Sequence, residues 1–322
     1  MGLSTTPTIL ESDRILIIGG TGFIGRHLTQ KCLNYSSFVT SLGLTDCVER
    51  KMSIPGVEYL QVDISDRDKL RLVLDGRPFD YVFNLGGYID HVPYLKGGHR
   101  VLESHLIGVT NIIECLDVKS LKGFVQVGSS DEYGNQPAPQ NEGMREHPFS
   151  TYSFSKTAAT HFIQMLYSSE GFPGVITRLF LVYGPGQDEK RFLPQLVIAC
   201  LKGETIETTD GKQLRDFCYI EDVITGMIQA AIVPQANGKI INIASGNPIS
   251  IKEIINKVVE IVGKGKPLFG VRPYRKGENM ELYADISSGR NILGWAPCIT
   301  LQEGLFKTIK HYKSLLEEAK HL

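Results

Sequence analysis

Gly19-Gly20-Thr21-Gly22-Phe23-Ile24-Gly25 stands between an apolar run, Arg14-Ile15-Leu16-Ile17-Ile18, and the segment Arg26-His27-Leu28-Thr29-Gln30-Lys31-Cys32-Leu33. The run before it reads as a buried first strand and the segment after it as a helix. Glycines three apart at such a turn let the backbone pass close to a pyrophosphate. They also leave the free N–H groups and the positive dipole end of the helix aimed at that anion. Flexible loops are glycine-rich too; placement between strand and helix is what selects a dinucleotide-binding turn. Gly19, Gly22, Phe23, Ile24 and Gly25 are therefore candidate cofactor contacts.

Downstream, strand-like runs alternate with helix-length stretches: Phe38 to Leu44, Val57 to Val62, Tyr81 to Leu85, Gly123 to Gly128 and Gly174 to Phe180. That alternation predicts βαβ units in an α/β fold, a Rossmann-type doubly wound parallel sheet. In such a sheet ligands sit at the carboxyl ends of the strands, so the chemistry should follow each apolar run. From about Gly184 the pattern changes. Turn-rich stretches such as Gly184-Pro185-Gly186-Gln187 interleave with short apolar segments, a Ser250-x-x-Glu253 capping box opens a helix to Val262, and a last helix runs from Leu301 to about Ala319. We read residues 13–183 as the dinucleotide-binding domain, with later segments returning to it, and 184–322 as mainly a smaller mixed α/β substrate subdomain.

The 322 residues are 42% hydrophobic and 21% charged, the mix of a soluble globular chain, and the formal net charge is −1. No global field favours nucleic acid or an anionic membrane, and neither partner is expected. A polyanionic ligand must be held by local cations. No apolar run reaches membrane-spanning length. Residues 1–13 lack a basic region followed by an apolar core, so no secretory signal is expected, and Met1 to Ser12 reads as a disordered lead-in. Cys32, Cys47, Cys115, Cys200, Cys218 and Cys298 are scattered without a CxxC pair. This argues against a metal site and suits a reducing, cytoplasmic setting.

Tyr152-Ser153-Phe154-Ser155-Lys156 places a tyrosine and a lysine four apart, on one face if the segment is helical. An ammonium near a phenol favours the phenolate and makes the tyrosine a usable proton carrier. YxxxK arises often by chance. Here it follows the glycine turn and a serine pair, Ser129-Ser130, that ends the preceding strand.

In that combination the chain resembles the extended short-chain dehydrogenase/reductase family, in the branch that works on nucleotide sugars. The likeness runs from about Arg14 to Trp295. It includes the glycine turn, Asp63-Ile64 after the third strand and Asn84-Leu85-Gly86-Gly87 after the fourth. Ser129, Tyr133-Gly134, Tyr152/Lys156 and Arg178 through Phe180 to Tyr183-Gly184-Pro185-Gly186 continue it. Leu214-Arg215-Asp216, Arg275-Lys276-Gly277-Glu278 and Leu293-Gly294-Trp295 complete it. The resemblance implies that Tyr152 exchanges a proton with a sugar hydroxyl or ketone and Lys156 binds the nicotinamide ribose. It implies that Ser129 hydrogen-bonds the reacting oxygen and that hydride passes at a sugar carbon, usually C4. Asp63 would meet the adenine, with Ile64, Leu85, Gly86, Gly87 and Phe180 also lining the cofactor. Arg191, Arg215 and Arg275 would hold the nucleotide-diphosphate sugar. A homodimer through helices near Gly98–Leu116 and Thr151–Ser168 is implied as well.

The chain departs from the family at three places. Leu181 and His105 occupy positions that carry asparagines in the family; we read His105 as a structural exchange. The second strand ends near Gly43 without the acid that would hold the 2′-hydroxyl of NAD. Asp46 could serve instead, whereas Arg50 and Lys51 could receive the 2′-phosphate of NADP. NAD and NADP both stay open, with NADP slightly favoured. In Gly128-Ser129-Ser130-Asp131-Glu132-Tyr133-Gly134, Asp131 stands where related 4,6-dehydratases carry a base, and Ser130 where several carry an acid. The motif most resembles 4-ketoreductases of 6-deoxyhexose pathways, such as GDP-6-deoxymannose reductase. Reduction of a 4-keto-6-deoxy sugar is thus the first expectation, with 4,6-dehydratase and 4-epimerase as alternatives and a non-catalytic dinucleotide sensor as a remote one. Solvated turn carboxylates remain the plain alternative for Asp131 and Glu132.

Overall fold

A computed structural model describes residues 8–46, 53–275 and 277–319. Along the chain the elements are β1 (Arg14–Ile18), α1 (Phe23–Cys32), β2 (Phe38–Gly43), β3 (Val57–Gln61), α2 (Arg67–Leu74) and β4 (Tyr81–Asn84). A helix follows in three pieces: α3 (His99–Leu102), a π-helical stretch (Glu103–Ile107) and α4 (Gly108–Cys115). Then come β5 (Gly123–Ser129), α5 (Thr151–Glu170), β6 (Gly174–Leu179), β7 (Leu181–Tyr183), α6 (Phe192–Lys202), β8 (Thr205–Glu207), β9 (Leu214–Tyr219) and α7 (Ile220–Ile232). The chain closes with β10 (Ile240–Ile243), β11 (Pro248–Ser250), α8 (Ile251–Val262), β12 (Lys266–Leu268), β13 (Glu281–Leu282), α9 (Ser287–Leu293) and α10 (Leu301–Glu318).

Seven strands form one parallel sheet in the order β10-β6-β5-β4-β1-β2-β3. The run Ile15-Leu16-Ile17-Ile18 sits at its centre, each residue at most 1% exposed. Both faces of that strand are covered, which is why it reads as a continuous apolar run and not as an alternation. Successive side chains point to opposite faces. Ile15 and Ile17 join the cluster containing Leu28 of α1 and Val223, Ile224 and Met227 of α7. Leu16 and Ile18 join Leu70 and Leu74 of α2, Val109 and Ile112 of α4, and Ile163 of α5. Fully burying one such side chain contributes roughly 1.5–3 kcal/mol.

The chain fills the sheet outward from β1 toward β3, then returns to β4 on the other side. The strand order reverses between β1 and β4, the switch point at whose carboxyl ends sheets of this kind carry their ligand crevice. Beyond β7 the chain builds smaller sheets, β11-β9-β13 with β7 on β9, and β12-β8. α7 and β10 return to the large sheet, where Ile240–Ile243 pair in parallel with Ile176–Leu179.

The expected lead-in is corrected in part. Residues 1–7 lie outside the described residues, but Ile9 is buried in the core and Leu10 donates its N–H to Asp13 Oδ2 at 2.7 Å. The apolar side chain of Ile9 ties the segment before β1 to the core. Both predicted C-terminal helices form, each opened by a capping box, Ser250 with Glu253 and Thr300 with Glu303. Cys47, Arg50 and Lys51 lie outside the described residues. Among those described, no helix is long and apolar enough to cross a membrane.

Candidate active site

The glycine turn joins β1 to α1 directly beneath the crevice. Gly19 has φ +76°, a left-handed conformation, and a Cβ there would come 2.9 Å from Leu85 O. A Cβ on Gly25 would collide with Gly19 O, so this glycine lets the helix press onto the turn. Around Gly22, by contrast, an added Cβ would touch only Gly19 O, at 3.4 Å. The start of α1 carries no side-chain cap and no acidic residue in its first turn. An open glycine at a bare helix N-terminus fits a pyrophosphate. Phe23 and Ile24 form the first turn of α1, half-buried against the core.

The other predicted cofactor positions follow the carboxyl ends of β3, β4 and β6. Leu85 follows β4, with its N–H donated to Ile18 O at 3.0 Å, and Gly86 N–H donates to Asn84 Oδ1 at 3.0 Å. A Cβ on Gly86 would meet Ile64 Cδ1 at 2.9 Å, so buried Ile64 packs under this loop. Asp63 is exposed and accepts from Ser65 N and Oγ, at 2.9 and 2.7 Å. Phe180 is buried with Tyr133, Ala244, Ala284 and Ile286, in a packing role. At the end of β2, a Cβ on Gly43 would meet only Thr21 Oγ1, at 3.5 Å.

The predicted reacting groups lie at the end of β5 and the start of α5. Ser150 and Ser153 cap α5 reciprocally, which sets Tyr152 and Lys156 on one face of its first turns. Both are 5% exposed. Ser129, the last residue of β5, hydrogen-bonds the Tyr152 side chain. Lys156 donates to Val127 O at 2.8 Å, and its Nζ stands 6.0 Å from the Tyr152 ring centroid.

The electrostatics differ from the sequence expectation. Burial, reinforced by the charges of Asp131 and Glu132, pushes the Tyr152 phenol above its usual value, although Ser129 and Arg191 oppose this. Lys156 is not what governs it, because its ammonium faces Val127. Burial in turn lowers Lys156 to about 8, with Glu132 pulling it back up. Asp131 is raised by burial, against the pull of His91. Its carboxylate lies 3.8 Å from His91 Nε2.

Glu132 is no solvated turn carboxylate. It is fully buried and accepts from Ser129 N at 2.8 Å, Thr160 Oγ1 at 2.8 Å and Arg178 Nε at 3.0 Å. Ser129-x-x-Glu132 has capping-box spacing, and that box forms here, so a legible signal for this role existed. Ser130, between them, is buried in the same short turn. His91, whose ring meets Tyr152 edge-on at 5.5 Å, had no such signal. His105 is 3% exposed, donates Nε2–H to Tyr88 O at 2.7 Å and packs edge-on against Tyr152 at 5.1 Å. Burial and the nearby Lys156 charge hold its pKa down at about 3, so it is a neutral packing group.

The predicted substrate arginines are not gathered equally. Arg215 is ion-paired with Glu278 and mostly buried. Arg191, at the N-cap of α6, is exposed but near enough to act on Tyr152. Arg275 is exposed. Leu181, the position where the sequence resemblance leads one to expect an asparagine, is 36% exposed.

Known proteins resemble this chain over nearly its whole length. The chain is 26% identical over 320 residues to a UDP-glucuronate 4-epimerase of Thermodesulfobacterium geofontis, covering 95% of this chain and 98% of that one. It is 24% identical over 332 residues to a dTDP-glucose 4,6-dehydratase of Haemophilus influenzae, covering 92% and 97%. The structure of a UDP-glucuronic acid 4-epimerase from Bacillus cereus, in complex with UDP-glucuronic acid and NAD, matches with a TM-score of 0.80 at 27% identity, covering 94% and 99%. Residues 15–244 match the model of one family. With its glycine turn under a parallel sheet and its Ser129–Tyr152–Lys156 centre, the chain belongs to the NAD-dependent epimerase/dehydratase family, in the extended short-chain dehydrogenase/reductase branch.

Proposed function

We propose that the protein is a nucleotide-sugar 4-ketoreductase, which reduces the C4 carbonyl of a nucleotide-diphosphate-linked 4-keto-6-deoxyhexose. The observation that carries this reading is the setting of Tyr152. Its ring is buried beside Asp131 and Glu132, and the Lys156 ammonium turns to Val127 O and not to the phenol. A phenol so placed keeps its proton at neutral pH, as a donor to a carbonyl oxygen must. Oxidation of a sugar hydroxyl, the opening step of an epimerase or a dehydratase, calls for the phenolate.

When bound, the dinucleotide supplies the hydride that goes to C4. Tyr152 Oη gives its proton to O4 as negative charge grows there, and the Ser129 hydroxyl donates a hydrogen bond to the same oxygen. Lys156 holds the nicotinamide ribose. Asp131, whose carboxyl is raised by burial, faces the sugar, while Ser130 offers no acid to expel a 6-hydroxyl. Arg215 meets the diphosphate, with Arg191 and Arg275 at the rim. The smaller sheets after β7 form the substrate-binding part. Gly43 leaves room for a 2′-phosphate, which supports NADPH ahead of NADH. The named similarity to 4-epimerases favours a second reading, internal hydride return with inversion at C4.

A panel of nucleotide sugars, run with NADH, with NADPH and without added reductant, separates these readings. We expect stoichiometric reductant consumption with a 4-keto-6-deoxy sugar. Tyr152→Phe should lower turnover at least a thousandfold while dinucleotide affinity stays within twofold, an estimate on the scale of losing a general acid. Product formation without net reductant change would overturn the reductase reading; a C4 epimer would then mark an epimerase and a 4-keto-6-deoxy product a dehydratase.

A further inference from the structure

Glu132 is fully buried beside the predicted reacting residues and has every oxygen hydrogen-bonded. One oxygen, Oε1, accepts the backbone N–H of Ser129 at 2.8 Å. The other, Oε2, accepts from Thr160 Oγ1 at 2.8 Å and from Arg178, Nε at 3.0 Å and Nη2 at 2.8 Å. Thr160 lies one helical turn beyond Lys156 on α5. Arg178, on β6, is itself fully buried, stacks its guanidinium 4.6 Å over the Tyr133 ring, and bonds Glu146 Oε1 at 2.6 Å. Glu146 reaches His161 of α5 at 3.4 Å. One carboxylate thus joins the strand end that carries Ser129, the helix that carries Tyr152 and Lys156, and the neighbouring strand.

We propose that Glu132 is a positioning residue for the Ser129–Tyr152–Lys156 centre, fixing the serine turn against α5 and presenting a buried negative charge behind the lysine. The inference rests on the reading of Lys156 as the ribose-binding group. Two features make this more than scaffolding. The site is closely built around the carboxylate, since a Cβ on Gly128 would come 2.6 Å from Glu132 Oε1. The charge also acts on the reacting groups. The titratable groups around Lys156 are Glu132, neutral His105 and the Tyr152 ring, whose centroid is 6.0 Å from Nζ, and of these only Glu132 favours the ammonium. Removing that charge lowers the lysine below its present value of about 8. The ammonium needed to hold a ribose hydroxyl is then lost at lower pH.

The test uses the full-length protein, and its binding arm needs no sugar. Dinucleotide affinity is measured by fluorescence across pH 6–10 for wild type, Glu132→Gln, Glu132→Asp and Thr160→Val. Wild-type affinity should fall as pH rises past the lysine value. In Glu132→Gln that fall should move down by about one pH unit, as expected for loss of one close opposite charge, while Glu132→Asp restores its position. Thr160→Val keeps the charge and should leave the pH dependence in place. Turnover of the best substrate from the panel should drop at least tenfold in Glu132→Gln and less in Glu132→Asp. An unshifted affinity profile in folded Glu132→Gln would overturn the proposal. Should that variant fail to fold, wild-type turnover in both Glu132→Asp and Thr160→Val would overturn it instead. If no sugar of the panel reacts, the ketoreductase reading falls while the affinity profile still decides the role of Glu132.

Discussion

His105 is a single side chain that links the stability of the site to pH. It fills the space that the missing Cβ of Gly87 leaves, so the glycine and the histidine require each other. Its folded pKa is about 3, whereas an unfolded histidine titrates near 6.5. Between those values the unfolded chain binds a proton that the native chain does not, so stability falls as pH falls. The loss is about 1.4 kcal/mol per pH unit, or about 2 kcal/mol from pH 6.5 to 5. Urea denaturation at pH 7 and pH 5 should show this loss in the wild type and a smaller one in His105→Asn. Equal losses in both would refute the assignment.

At the scale of elements, α5 does two jobs with two faces. It is a 20-residue helix that starts on the Ser150–Ser153 box and ends on Gly171, whose φ of 71° closes the last turn. Tyr152, Lys156, Ala159, Ile163 and Leu166 face the sheet, while Phe154 is 51% exposed and Met165 47% exposed. Residues 154 and 165 are eleven apart, close to three full turns, so they share one outer stripe. Ile107, in the π-helical stretch before α4, is 41% exposed. This apolar stripe supports the homodimer as a proposal. Sedimentation at micromolar concentration should give a dimer, and Phe154→Glu should weaken it more than tenfold, because burying a Phe is worth roughly 1.5–3 kcal/mol. A wild-type monomer would exclude the interface.

For the whole molecule, Asn242 on β10 is the stitch between the large sheet and the smaller part. Its Oδ1 accepts from Tyr133 Oη at 2.7 Å, its Nδ2 donates to Gln140 O and Asp285 O at 3.0 and 3.2 Å, and its N–H donates to Glu142 Oε1 at 2.8 Å. Asn242→Leu conserves the shape and removes three side-chain hydrogen bonds, with Gln140 O still accepting from Asp285 N–H at 2.9 Å, at a cost on the order of 3 kcal/mol. We expect a lower thermal midpoint and a raised KM for the sugar nucleotide with dinucleotide affinity little changed. Equal weakening of both ligands would show that Asn242 acts on the sheet alone.

The first strand, the glycine turn and the Tyr152/Lys156 spacing were all legible in the sequence, because each is a local pattern: an apolar run, glycines three apart, two residues four apart on a helix. Glu132 was only half legible. Its capping-box spacing is local, but its burial depends on Arg178, 46 residues away on β6. The state of Tyr152 was not legible. Spacing alone predicted a lysine that lowers the phenol, whereas packing of α5 against β5 aims that lysine at Val127 and surrounds the ring with Asp131, His91 and His105. The sequence by itself determined the layer order and the family, since hydrophobic period and turn chemistry are properties of neighbours along the chain. Only the tertiary structure decided which charges face which, because solvation and Coulomb energy depend on distances in space between residues far apart in the chain.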